Sequence, residues 1–385
     1  MNGIWYYAIA FVAIWFIAIV FKNKLEKYGV EVEFPVIMWK TQRLRGLINK
    51  IANISPKFWK WFMNVGIVIS VGFMLFMAYA LIISLTTITE TASVAILLPG
   101  VEMPGSPIFV PFFYGFLGLA TVLIVHEFSH GILSRVEKVK IKSIGLLLFA
   151  ILPGAFVEPD EEDMEQSKKS SRLRIYAAGS MANITLAVIA LIIFYSISSF
   201  AIPATFDENG VQIETIVNDA PVEGILSEGM IIKSINNITI YDSDSYIQAT
   251  STLKPNDNAT ITTNEGTFSL QLGENPNNHS RGYMGVQASK NFIVKEDVAN
   301  MWGNDIPWVL FELSELFKWI FFLNFAVGTF NLLPMKPLDG GHMLEDILSY
   351  KLSEKIVKPT VKYISMVFAF IIVFSIVYGF IGGII

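Results

Sequence analysis

Apolar runs recur along the chain, separated by polar stretches of contrasting charge. Residues 4–21 are apolar and are followed by Lys22, Lys24 and Lys27. Further runs occupy residues 65–85, 107–125, 175–200, 319–333 and 367–385. A helix needs about 20 apolar residues to cross a hydrocarbon layer, so the pattern predicts a polytopic α-helical membrane protein with about six transmembrane helices. No basic segment precedes the first run and no small-residue cleavage pattern follows it, so it reads as a retained span.

Two segments break the helical rhythm. Residues 144–157 are apolar but too short to span, and Pro153-Gly154 interrupts them. They read as a re-entrant or interfacial β-hairpin. Over residues 204–290, Asn, Asp, Thr and Gly rise, and short β-type runs alternate with turns. A strand at 211–217, a helix near 242–253 and two further strands give an inserted α+β domain. The chain then divides into two N-terminal spans with an interfacial loop (1–106), the first part of a membrane core (107–200), the inserted domain (204–290) and the second part of the core (300–385).

Charge sets the sidedness. Residues 22–60 hold nine basic residues, with Trp39, Trp59 and Trp61 interleaved. This fits a cytoplasmic loop with interfacial helices. Residues 86–106 carry Glu90 and Glu102 but no Lys or Arg, whereas residues 135–174 carry eight basic residues. Lys351, Lys355, Lys358 and Lys362 return the chain to the basic side. Six spans on this scheme put both termini and the inserted domain outside. The acidic run from Glu158 to Glu165 reads as a solvated loop. A net charge of −5 argues against nucleic-acid binding as a main role. The absence of cysteine excludes disulfides and thiolate ligands, so any metal is held by His and carboxylate.

The third run ends in His126-Glu127-Phe128-Ser129-His130. Positions i and i+4 share a helix face, so both imidazoles reach one ion, with a glutamate beside it. About 19 residues from Pro107 rise roughly 28 Å, which puts the motif near the cytoplasmic end of its span. A catalytic zinc wants three protein ligands and an open position. Candidates for the third are Asp339, His342, Glu158 and His279. Asp339 is favoured, because the fifth run ends in a Pro334–Gly341 elbow that holds it at the same end of the membrane. Glu127 is then the general base for peptide hydrolysis without a covalent intermediate. A membrane helix must unwind before its carbonyls can be attacked. The 144–157 hairpin offers an edge for the unwound peptide, and Asn183 and Asn331 can bind its freed backbone groups. The alternative for Asn183 is a hydrogen bond between helices.

These segments resemble the site-2 protease family of intramembrane zinc metalloproteases, in its eukaryotic and archaeal branch. The matching stretches are His-Glu-Phe-Ser-His at 126–130, Leu-Pro-Gly-Ala-Phe-Val at 152–157, Gly-Ser-Met-Ala-Asn at 179–183 and Asn-Leu-Leu-Pro-Met-Lys-Pro-Leu-Asp-Gly-Gly at 331–341. Ser129 stands where the family usually has Gly, and Ser180 where it usually has Pro. The resemblance implies Zn²⁺ on His126, His130 and Asp339, Glu127 as catalytic group, and substrate contact by Asn183 and Asn331. It also implies a PDZ-like inserted domain with a possible peptide ligand, and membrane-spanning protein substrates within the bilayer. The competing expectation is a catalytically silent membrane scaffold that binds partners through the PDZ-like domain. The intact motif set favours the enzyme.

Overall fold

The computed structural model describes residues 4–42, 44–86, 94, 96–103, 106 and 108–382. Arg43, Glu90, Pro107 and the last residues of the sixth predicted span lie outside the described residues. The chain divides into two units, Met1–Phe194 with Ser314–Ile385, and Tyr195–Leu313.

The first unit begins with α1 (Ile4–Val20), α2 (Lys22–Glu26), β1 (Val30–Glu33) and β2 (Val36–Thr41). There follow α3 (Arg45–Ile54), α4 (Pro56–Ile83), α5 (Phe112–Val136), β3 (Ile141–Phe149), β4 (Leu152–Pro159), α6 (Glu161–Gln166) and α7 (Lys169–Ser196). Local chemistry explains several boundaries. Ser55 caps α4 by accepting from Phe58 N–H, and Pro56 fits the first turn, where no amide partner exists. Asp160 caps α6, whose first turn is acidic and so complements the helix dipole. The acidic run is therefore partly helical, not a loop throughout.

The predicted hairpin is present, but it is not alone. β3 pairs with β4 and, on its other side, with β2, giving one sheet in the order β1-β2-β3-β4. Trp39 pairs with Leu146 across about a hundred residues of sequence. The basic 22–60 loop thus contains two strands as well as the expected helix α3. The third helix also differs from its expected length. It starts at Phe112, after irregular residues 108–111. His126 is then about 21 Å along the helix, where a helix beginning at Pro107 would have put it roughly 28 Å along.

The second unit carries α8 (Ile202–Thr205), β5 (Phe206–Ile216), β6 (Ile231–Ile235), β7 (Ile238–Thr239), α9 (Ser243–Ser251), β8 (Asn258–Thr263), β9 (Thr267–Gln271), β10 (Gly273–Asn275), β11 (Asn278–Tyr283), β12 (Val286–Val294) and α10 (Glu296–Trp302). Its main sheet runs β12-β5-β6-β8-β9, with β7 beside β6, and β10-β11 form a separate ribbon. Asp242 and Ser245 close a capping box at the start of α9. Ile213, Val222, Ile232, Ile235, Ile261 and Leu272 form its core.

The first unit is completed by α11 (Val309–Phe330), most of which belongs to it, then α12 (Asp339–Leu348) and α13 (Glu354–Gly382). Four helical stretches among the described residues are long and apolar enough to cross a membrane: Pro56–Thr86, Phe112–Val136, Lys169–Thr205 and Glu354–Ile381. α1 is apolar but shorter, and α11 carries Glu312, Glu315 and Lys318 in its first half. Large apolar side chains point outward, among them Val68, Leu75 and Phe76 on α4 and Phe370 and Val373 on α13. A water-facing surface would not carry such a belt. Inside, Ile48, Ile132, Leu133, Val157, Ile175 and Met181 join α3, α5, β4 and α7 in one cluster.

Candidate metal centre

α5 places His126 and His130 one turn apart. Their Nε2 atoms approach to 3.1 Å, with the rings at 77° to each other. Asp339, the first residue of α12, faces both: its Oδ2 is 3.4 Å from His126 Nε2 and 3.4 Å from His130 Nε2. These three residues are the one group among the described residues whose ligand atoms all lie within 4.8 Å of one another. Zinc–ligand bonds of about 2.0–2.1 Å in a tetrahedron put ligand atoms roughly 3.3–3.4 Å apart. The observed separations of 3.1–3.4 Å therefore fit one zinc-sized ion. Two imidazoles and a carboxylate also suit zinc better than calcium or magnesium, which prefer all-oxygen sites.

The elbow before Asp339 is built from backbone. Leu333 N–H donates to the Phe330 carbonyl at 3.0 Å, and Gly340 N–H donates to the Asn331 carbonyl at 2.9 Å. Asn331 stands half-buried just after α11, and its main chain closes this turn. A side chain at position 340 would run into the Leu332 carbonyl, which explains one of the two glycines after Asp339.

α7 lines the other side of the cluster. Gly179 is the point of closest approach: a Cβ there would lie 2.7 Å from His126 Nε2, in the space between the ligands. Ser180 Oγ donates to Asp339 Oδ2 at 3.3 Å. His130 Nδ1 is 2.7 Å from the Ile175 carbonyl, and Asn183, fully buried, puts Nδ2 3.2 Å from His126 Nδ1. The Gly-Ser-Met-Ala-Asn stretch was legible as a site for close helix contact. The parts of Ser180 and Ile175 were not, since a hydroxyl and a backbone carbonyl leave no mark of this kind in a sequence.

Glu127 lies one residue round the helix from His126. Its Oε2 accepts from the Val157 backbone N–H at 2.9 Å. That amide points away from β3, so the outer edge of β4 faces α5. β4 is the sheet's terminal strand and β3 is paired on both sides. Beside them, a 450 Å³ apolar groove between the sheet and α5 is lined by Trp39, Phe116, Leu123, Leu146 and Ala155, among others.

The remaining candidates are elsewhere. His342 stacks on Tyr176 with centroids 5.0 Å apart, outside the metal group. Glu158 accepts from the Ser143 hydroxyl. His279 is exposed in the second unit beside Glu274. Asn324 of α11 was overlooked in the sequence: it is fully buried and donates to Thr121 Oγ1 at 2.9 Å, joining α11 to α5.

Apolar helices around a His-Glu-x-x-His helix, with a carboxylate brought in by a separate helix, define a membrane metallopeptidase site. Over residues 114–376 the chain matches peptidase family M50, and it belongs to that family, the site-2 protease family. It is similar to uncharacterized protein MJ0971 of Methanocaldococcus jannaschii, 28% identical over 237 residues, 61% of this chain and 57% of that protein. It is also similar to the membrane-bound transcription factor site-2 protease homolog of Arabidopsis thaliana, 25% identical over 174 residues, 43% of this chain and 33% of that protein. The matched part thus spans between about a third and a little over half of these relatives' lengths.

Proposed function

We propose that this protein is a zinc-dependent intramembrane endopeptidase that hydrolyses a peptide bond in a locally unwound transmembrane helix of a membrane-anchored substrate. The observation that carries this reading is the convergence of His126, His130 and Asp339 from α5 and α12, with Glu127 beside them, in a chain of family M50. Zinc held by the three would act as a Lewis acid and lower the pKa of an attacking water.

The protein's own groups carry the remaining work. Val157 N–H holds one carboxylate oxygen of Glu127 and leaves the other to take a proton and hand it to the departing amine. β4 is the terminal strand of its sheet and its outer edge runs past Glu127, so an unwound peptide paired with the part of that edge not taken by Glu127 would have its backbone next to the base. The apolar groove beside it suits the side chains of such a peptide. Asn331 is proposed to contact substrate backbone; it stands where α12 meets the end of α11.

In this reading α1 and α11 complete six spans with the four longer helices, the basic segments face the cytoplasm, and the second unit lies outside. That unit is proposed to be PDZ-like, on its sheet with one packed helix and its Gly-Met-Ile-Ile-Lys-Ser-Ile-Asn stretch at 229–236. Its role is to bind a peptide or to gate bulky substrates.

The test is cleavage of a helical membrane substrate by purified wild type and Glu127→Gln, with metal analysis of both. The wild type should cleave and hold one zinc. The variant should keep its zinc and lose at least about 10²-fold in rate. Equal cleavage by the two proteins would sink the proposal.

A further inference from the structure

We infer that Asn183 is a positioning residue for His126, its amide turned so that Oδ1 accepts the hydrogen on His126 Nδ1. The inference rests on the metal-site reading above and concerns how the apoprotein prepares that site.

A neutral imidazole has one lone pair and one N–H. His126 turns Nε2 toward Asp339 and His130, so a metal there takes the Nε2 lone pair and leaves the hydrogen on Nδ1. That hydrogen needs an acceptor. His130 shows the same arrangement without ambiguity: its Nδ1 lies 2.7 Å from the Ile175 carbonyl, which can only accept. For His126 the neighbour is Asn183, whose Nδ2 lies 3.2 Å from Nδ1. With the metal-binding tautomer, that orientation sets a donor against a donor.

The other half of the amide resolves the conflict. Asn183 Oδ1 is buried and has no hydrogen-bond partner among the described residues. Turning the amide by half a revolution breaks no bond made by Oδ1 and brings an acceptor to His126 Nδ1. Amide oxygen and nitrogen are assigned from such networks, not from shape, because the two ends are nearly isosteric. α7 then anchors both ligand imidazoles from behind, His130 through a main-chain carbonyl and His126 through a side chain. Partners of this kind set the tautomer and ring orientation of metal-binding histidines. A consequence is that Asn183 is spent on the protein itself rather than on substrate backbone.

The test compares full-length wild type, Asn183→Asp and Asn183→Leu, purified in detergent. Zn²⁺ affinity is measured by chelator competition, and Co²⁺ uptake by its visible spectrum. Aspartate keeps an oxygen acceptor at the same place, whereas leucine keeps only the bulk. The expected result is a Zn²⁺ affinity about 10- to 100-fold weaker for Asn183→Leu, with an altered Co²⁺ spectrum. Asn183→Asp should stay within a few-fold of wild type or bind more tightly. Unfolding temperatures of the metal-free proteins report whether each variant folds, and Asn183→Ala replaces the leucine variant if that one does not. Equal weakening by Asp and Leu would show that the amide N–H is what His126 needs, and would overturn the inference. So would unchanged affinity in every variant. A wild type that takes up neither Zn²⁺ nor Co²⁺ would overturn the metal-site reading as well, which separates the two failures.

Discussion

At the scale of single residues, the site is defined by how little room it has. Gly179 leaves the space between the imidazoles that a methyl group would fill. Gly179→Ala is therefore expected to abolish zinc binding while the helices still form, since alanine is the better helix former. Metal stoichiometry falling toward zero, with circular dichroism unchanged, is the check. Glu137, just beyond α5, shows how charge is handled nearby. Burial alone would raise its pKa, but hydrogen bonds from Arg174 and Ser171 and the charges of Arg174 and Lys60 outweigh it, and the net direction is down. A carboxylate with a depressed pKa in the folded state contributes stability above its unfolded value of about 4.3, and that contribution is lost as pH falls through the folded pKa. The unfolding temperature of wild type should exceed that of Glu137→Gln at pH 7, and the gap should close on acidification below about pH 4. A gap that does not change with pH would contradict this assignment.

At the scale of elements, the site depends on α12 being held against α7. Arg172 of α7 donates to both oxygens of Asp346, with Nε at 3.0 and 2.9 Å. Asp346 is nearly buried, and it lies two turns along the helix that Asp339 begins. Arg172→Met leaves that carboxylate buried and unpaired, with an expected loss on the order of 3 kcal/mol. The double variant Arg172→Met with Asp346→Leu should recover most of it, as thermal unfolding in detergent would show. Failure of the second change to rescue the first would mean the ion pair is not what couples these helices. The elements themselves were unequally legible. α5, α7 and the elbow announce themselves, because apolar length, His spacing and Pro–Gly breaks are local properties. β1 and β2 do not: Val36 to Thr41 is short and sits among lysines, and it becomes a strand by pairing with β3 far along the chain. The start of α5 at Phe112 was also hidden, since residues 108–111 are as apolar as the helix they precede.

At the scale of the whole molecule, the metal ligands come from two segments more than two hundred residues apart, and the second unit is inserted between them. The sequence joined them only by argument from charge: both His130 and Asp339 are followed by basic stretches, so both should sit at the same face of the membrane. That reasoning makes sidedness the point at which the proposal for the entire chain can fail. The natural absence of cysteine makes the experiment clean, because any introduced thiol is the sole reactive one. Asn277→Cys in the second unit and Lys351→Cys after α12 replace exposed residues outside the metal group. In intact cells a membrane-impermeant maleimide should label Cys at 277 and leave Cys at 351 untouched until the membrane is opened. Labelling of both positions, or of 351 alone, would reverse or break the proposed topology. It would also mean that substrates approach the His126–Asp339 cluster from a different face than the basic segments indicate.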